Sequence, residues 1–205
     1  IMNLANSPEE AEAYEGFADT YYSGQKVIYL NLGVDFSAPE FQKGLAEGLR
    51  FFAANKGTYY VHCTEGKDRA GFVSALLECL MGATYDEVVA DYMVTYYNYY
   101  GVEPGTDKYE AIANSNIIKT LQNAFGVEDL SKADLQKGAK GYMKAIGLTD
   151  AEITDLMVNL GYVAPVEPVT PSKPATGDAG IVVNLGLGVM ALAGGVLVAK
   201  KKEQF

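Results

Sequence analysis

The chain has 205 residues, 49% hydrophobic and 20% charged, with 26 acids against 16 bases. That is ordinary globular composition, enough for one domain of roughly 150 residues plus an appendage. A net charge of −10 argues against a nucleic-acid partner, two cysteines exclude a disulfide scaffold, and one histidine excludes a histidine-based metal cluster.

Ile1 is an unlikely translation start, so the chain reads as lacking its N-terminal part. Ser7-Pro8-Glu9-Glu10 is a helix start, with Ser as N-cap, Pro at the first helical position and Glu at the third. The helix it opens is expected to reach about Tyr22. Val27 to Leu32 reads as a short buried strand. Ser37-Ala38-Pro39-Glu40 repeats the capping pattern before a helix that carries Phe41, Leu45, Leu49 and Phe52 on one stripe. Asn55-Lys56-Gly57 ends that helix, and Thr58 to His62 reads as a second strand. Helices are expected over 72–81, 85–100, 106–124 and 131–146. Thr149-Asp150-Ala151-Glu152 opens a last one, ending at Gly161. Strand and helix alternate first and helices then dominate, so residues 1–162 predict an α/β domain with a small central sheet and a helix-rich C-terminal half. Only two strands are visible, so others are expected upstream of Ile1. This domain holds 23 acids and 12 bases, a net −11, so any anion site within it must be made locally.

Beyond Tyr162 the composition changes. Pro165, Pro168, Pro171 and Pro174 recur every third residue, which predicts a semi-rigid spacer over 163–178. Residues 180–199 carry no charge and then meet Lys200, Lys201 and Lys202. About 20 apolar residues in a helix span the hydrocarbon of a bilayer, so 179–205 is expected to be one transmembrane span with a cytoplasmic basic tail. The folded part then lies outside the cell. Lys173-Pro174-Ala175-Thr176-Gly177 before such a span resembles the sortase sorting signal of Gram-positive surface proteins, with Lys173 where the common motif has Leu. The resemblance implies sortase and the cell wall as partners, with cleavage after Thr176; a permanent membrane anchor is the alternative.

Chemistry concentrates in Val61-His62-Cys63-Thr64-Glu65-Gly66-Lys67-Asp68-Arg69-Ala70-Gly71-Phe72, between a predicted strand and a predicted helix. A loop that feeds a helix N-terminus turns N–H groups and the positive helix end toward one point, which is an anion cradle. Gly66 permits the tight turn and Gly71 lets the helix sit close to its neighbours. Cys63 faces the positive field, which favours the thiolate. Arg69 can curl back and grip two phosphate oxygens with its planar fork. The implied chemistry is attack of sulfur on phosphorus. Cys79, ten residues past Arg69 or about 15 Å along the helix, reads as a core residue and not as a disulfide partner. Tyr92, Tyr96 and Tyr99 share one helix face and read as core before substrate lip.

The Cys-x5-Arg loop resembles that of the cysteine-dependent protein tyrosine phosphatases. The fuller His-Cys-Thr-x-Gly-Lys-Asp-Arg-x-Gly string is similar to an atypical bacterial branch acting on phosphotyrosine or on lipid phosphates. The resemblance implies a phosphatase-like fold, no cofactor and no metal, with Cys63 as nucleophile, Arg69 as phosphate clamp, and Thr64, Glu65, Gly66 and Lys67 as the phosphate-binding loop. It assigns the general acid to Asp68. Asp35, 28 residues before Cys63, is the alternative, on the mobile acid loop of other tyrosine phosphatases. Lys67 is either a reader of a second substrate charge or a solvated lysine. Glu65 is expected to point to solvent, because an acid beside a dianion costs affinity. Ala70 departs from the Ser or Thr of many relatives, which implies slow breakdown of the phosphocysteine. Substrates expected on this basis are a phosphorylated protein or lipid; a catalytically weak phosphate-binding module is the reading from another class.

Overall fold

The computed structural model describes residues 1–163. Three two-residue strands, β1 (Met2–Asn3), β2 (Ile28–Tyr29) and β3 (Val61–His62), form a sheet in the order β2-β1-β3, with both pairs parallel. The central strand is thus one that the sequence does not announce. It has two residues, too few for any alternation to register, and it lies inside the chain where strands were sought upstream. Its partners are set by register: Met2 opposite Ile28 and Val61, Asn3 opposite Tyr29 and His62. Leu4 N–H continues the ladder to His62 O at 2.9 Å, and Leu32 N–H reaches Leu4 O at 2.9 Å. The chain therefore leaves all three strands at the same sheet edge, where open parallel sheets bind ligands.

Helix α1 (Pro8–Glu12) starts on the expected capping box, with Ser7 Oγ accepting from Glu10 N–H and Glu10 returning the bond to Ser7 N–H. It stops far short of Tyr22. Gly16 sits at φ 76°, and two 3₁₀ turns, Phe17–Asp19 and Tyr22–Gly24, replace the rest. Helix α2 (Pro39–Ala54) buries Phe41, Leu45, Leu49 and Phe52 as its stripe requires. Its expected cap fails. The N-cap is Ala38, and Ser37 instead gives its N–H and hydroxyl to Asp35 Oδ1 at 3.0 and 2.6 Å. Asp35 takes the Ser37 N–H that a capping box would give to the Glu40 carboxylate, and the Ser37 hydroxyl donates to Asp35 and does not cap the Glu40 N–H. Gly48 brings α2 against the sheet: a Cβ there would lie 2.8 Å from Met2 Cε and 2.9 Å from Leu30 Cδ1.

Helix α3 (Arg69–Met81) has Ser74 and Glu78 as its polar residues after Arg69, with Phe72, Val73, Leu76, Cys79 and Leu80 all fully buried, as in a helix largely enclosed by others. It packs on β3, on α4 (Tyr85–Tyr100) and on α7 (Leu135–Ala145). The segment expected as one helix over 106–124 is two, α5 (Asp107–Ala113) and α6 (Asn116–Phe125), because Asn116 takes φ 44° at the break. Helix α8 (Asp150–Asn159) begins on the predicted Thr149–Glu152 box and packs along α2. Asn159 Nδ2 donates to the Phe52 and Ala53 carbonyls, occupying acceptors that the end of α2 leaves free. The chain is a helix-rich α/β domain. Among the described residues no helix is long and apolar enough to cross a membrane; the spacer, the sorting motif and the span predicted over 180–199 lie outside the described residues.

Candidate active site

Three chain segments meet where the strands end. Cys63 follows β3, the loop 64–68 crosses to α3, and Arg69 is the first residue of that helix. Arg69 reaches back across the sheet edge. Its Nη1 donates to Leu32 O at 2.7 Å and Leu4 O at 3.3 Å, and its Nη2 donates to Thr64 Oγ1 at 3.0 Å. The guanidinium is therefore aimed by two backbone carbonyls, one beyond each of β1 and β2. Its Nε is buried and has no partner. A buried donor of a charged group without an acceptor costs about 1–3 kcal/mol or more, so an anion that supplied the acceptor would be favoured. Among the described residues, the backbone N–H groups of Thr64, Glu65, Gly66, Lys67 and Asp68 also donate to no protein atom. The residues present fit a bound tetrahedral oxyanion.

The two glycines do what their positions demand. Gly66 has φ 81°, the left-handed region in which a side chain costs roughly 1–2 kcal/mol. A Cβ on Gly71 would lie 2.9 Å from the Tyr92 ring, so α3 and α4 approach only because that atom is missing. Beyond that contact a ladder of rings runs along α4. Tyr92 and Tyr96 stand 5.5 Å apart, Tyr96 and Tyr100 5.7 Å, and Tyr99 and Tyr100 4.9 Å. Tyr92 and Tyr96 are core, as expected; Tyr99 is not, being 64% exposed.

The charged residues of the loop are paired among themselves. Lys67 Nζ lies 2.5 Å from Asp68 Oδ2 and 3.2 Å from Glu65 Oε2, and Tyr100 donates its hydroxyl to Glu65 Oε2 at 3.0 Å. The Asp68 carboxylate, with Glu65 behind it, raises the Lys67 pKa. Tyr100 and then Lys67 lower that of Glu65. Lys67 is thus no solvated lysine, whereas Glu65 is exposed, as expected, and is bonded there to Tyr100 and Lys67. Neither pairing has a pattern in the sequence, since Tyr100 is 35 residues from its partner.

His62 is held from the other side. Asn3, buried at the centre of the sheet, donates Nδ2 to the Tyr22 oxygen at 3.1 Å, and the Tyr22 hydroxyl meets His62 Nε2 at 2.8 Å. Asn3 Oδ1 also accepts from Ala5 and Asn6 N–H, shaping the turn after β1. Burial lowers the His62 pKa and favours the neutral ring. The Asn3–Tyr22–His62 chain escapes sequence reading, because its members are 19 and 40 residues apart.

Asp35 stands elsewhere. Its carboxylate is a turn acceptor whose pKa the Ser37 hydroxyl and N–H lower. It lines a cavity of about 290 Å³ with Phe36, Phe72, Thr120, Asn123 and Tyr142, and no residue of the 63–69 loop shares that wall. Cys79 is fully buried and free, its thiol pushed up to about 12, first by burial and then by the charge of Glu78. Among the described residues no group of three or more His, Cys, Asp or Glu is arranged to hold a metal ion.

A thiol at the end of a parallel sheet, a loop of free amides and an arginine at the following helix start lie together at one end of this α/β domain. Residues 5–161 match the tyrosine phosphatase family, and the chain belongs to that family. It is similar to a tyrosine-protein phosphatase of Nostoc commune, with 29% identity over 61% of this chain and 45% of that protein. The chain thus spans about half the length of the curated relative it matches. No solved structure matches it.

Proposed function

We propose that the protein is a cysteine-dependent phosphomonoester hydrolase, acting on phosphotyrosine through a phosphocysteine. The observation that carries this reading is the Arg69 guanidinium, tethered by Leu4 and Leu32 beside the Cys63 loop with one buried donor unpartnered. In the first step the Cys63 sulfur forms a bond to phosphorus as the ester P–O bond breaks, and the leaving oxygen takes a proton from a general acid. In the second, water attacks the phosphocysteine, releasing phosphate and the thiolate. Arg69 and the amides of Thr64, Glu65, Gly66 and Lys67 hold the equatorial oxygens in both steps. No metal or cofactor is required by this chemistry. Ala70, buried at the start of α3, offers no hydroxyl to the departing thiolate, which makes the second step the slower one.

Asp68 is the proposed acid. It belongs to the loop itself, where it pairs with Lys67, whereas Asp35 is bonded to Ser37 and lines a cavity that no residue of the loop shares. The chain is expected to hydrolyse p-nitrophenyl phosphate and phenyl phosphate. Asp68→Asn should slow phenyl phosphate, whose leaving group needs the proton, on the order of 10²-fold or more, with a much smaller loss on p-nitrophenyl phosphate. Asp35→Asn should change neither by more than about twofold on the same reasoning. The reverse pattern would transfer the acid role to Asp35, and turnover of neither ester by the unaltered chain would favour a phosphate-binding module. A lipid phosphatase using the same loop is the second reading, which the Lys67–Asp68–Arg69 run keeps open.

We also propose that the protein works at the cell surface of a Gram-positive type of cell, with the catalytic domain outside. Residues 180–199 would provide the membrane segment, and sortase would join the chain to the wall after Thr176. Mass analysis of protein released from cell walls by a muralytic enzyme should give a C-terminal peptide whose last residue of this chain is Thr176, its carboxyl still carrying wall-derived material. A peptide that continues through Phe205 would leave a permanent membrane anchor instead.

A further inference from the structure

We infer that Glu65 is a specificity residue, confining the loop to esters that carry a single phosphate on an aromatic ring. The inference rests on the hydrolase reading above and narrows its substrate class. Four side chains of the loop bear charge: Glu65 and Asp68 negative, Lys67 and Arg69 positive. Arg69 is committed to the carbonyls of Leu4 and Leu32 and to the phosphate position. Lys67 is the other cation there, and it is closed on both sides, with Asp68 at 2.5 Å and Glu65 at 3.2 Å, and only 23% of its side chain exposed.

Glu65 is held to Lys67 by a second partner. The Tyr100 hydroxyl, on the last residue of α4, holds the same Oε2 that faces Lys67. A headgroup with a second phosphate next to the scissile one would thus meet the Glu65 carboxylate and no free cation of the loop, within a domain whose 23 acids and 12 bases leave it at −11. Like charges side by side repel, and solvent at this exposed position weakens the repulsion without removing it. A phosphotyrosine side chain brings one phosphate and an uncharged ring. The ring finds an aromatic flank in Tyr100 and Tyr99, which stand 4.9 Å apart and are 42% and 64% exposed. The same hydrogen bond that keeps Glu65 on Lys67 therefore sets a ring beside the loop.

The test compares kcat/KM for a phosphotyrosine peptide with uncharged flanks, dioctanoyl phosphatidylinositol 3-phosphate and its 3,4-bisphosphate. The 205-residue chain should prefer the peptide and turn over the bisphosphate less well than the monophosphate. Glu65→Gln should raise the bisphosphate-to-monophosphate ratio roughly tenfold, because one carboxylate charge is lost and Lys67 is exposed to the second phosphate. Tyr100→Phe, which unties Glu65 without removing its charge, should shift the ratio in the same direction by less. Both variants are checked for an unchanged melting temperature. A wild-type preference for the bisphosphate, or a ratio in Glu65→Gln unchanged within about twofold, overturns the assignment. Absence of turnover on every substrate, p-nitrophenyl phosphate included, would instead overturn the hydrolase reading on which it rests.

Discussion

Cys63→Ser is expected to lower the hydrolysis of p-nitrophenyl phosphate on the order of 10⁴-fold to 10⁶-fold, the scale on which a covalent nucleophile is lost. A serine hydroxyl in this loop would need a base to become a nucleophile, and the structure assigns none. His62 is engaged through Nε2 by Tyr22, and burial lowers its pKa, whereas the carboxylate partner of a general base would raise it. The second thiol offers no rescue, since Cys79 is fully buried in α3. Steady-state rates and acid-quench trapping of the phosphoenzyme provide the measurement. Retention of more than about 1% of the wild-type rate would remove sulfur from the mechanism.

Arg69→Lys should act twice. Loss of the planar fork is expected to lower kcat/KM on the order of 10²-fold to 10³-fold, about 3–4 kcal/mol, and to weaken competitive inhibition by vanadate in parallel. A lysine also cannot donate to Leu4 O, Leu32 O and Thr64 Oγ1 at once. Leu32 O would lose the donor it has in Arg69, while Leu4 O keeps the Leu32 N–H, so the melting temperature should fall, by the equivalent of about 1–3 kcal/mol. Vanadate titration and thermal unfolding separate the two effects. A variant that binds vanadate as tightly as the wild type would show that the guanidinium does not hold the phosphate.

What could be read from the sequence was what is local. The boxes at Ser7–Glu10 and Thr149–Glu152 each span four residues and form as written. The stripe of α2 and the limits of α4 follow from periodicity and from a Gly just past the helix end. The strand–loop–helix setting of Cys63 and Arg69 was legible for the same reason, because the whole loop is contiguous. Two local readings failed where a second residue competed: Ser37 for Asp35 over the cap, and Gly16 against a longer α1. The rest of the site is made of distant partners. The central strand takes its neighbours from 26 and 59 residues away, Tyr22 reaches His62 across 40, and Arg69 reaches Leu4 across 65. Pairing at such separations is decided by packing, and no spacing rule records it.

That long reach has a kinetic consequence. During synthesis β1 precedes β2 by 26 residues and β3 by 59, so the three-stranded sheet cannot be completed until residue 62 has left the ribosome, and closing so wide a loop is slow. Arg69 comes last and clips both earlier strand ends at once. No partly assembled sheet can present the cradle, so regained turnover should serve as a clock for sheet closure on refolding.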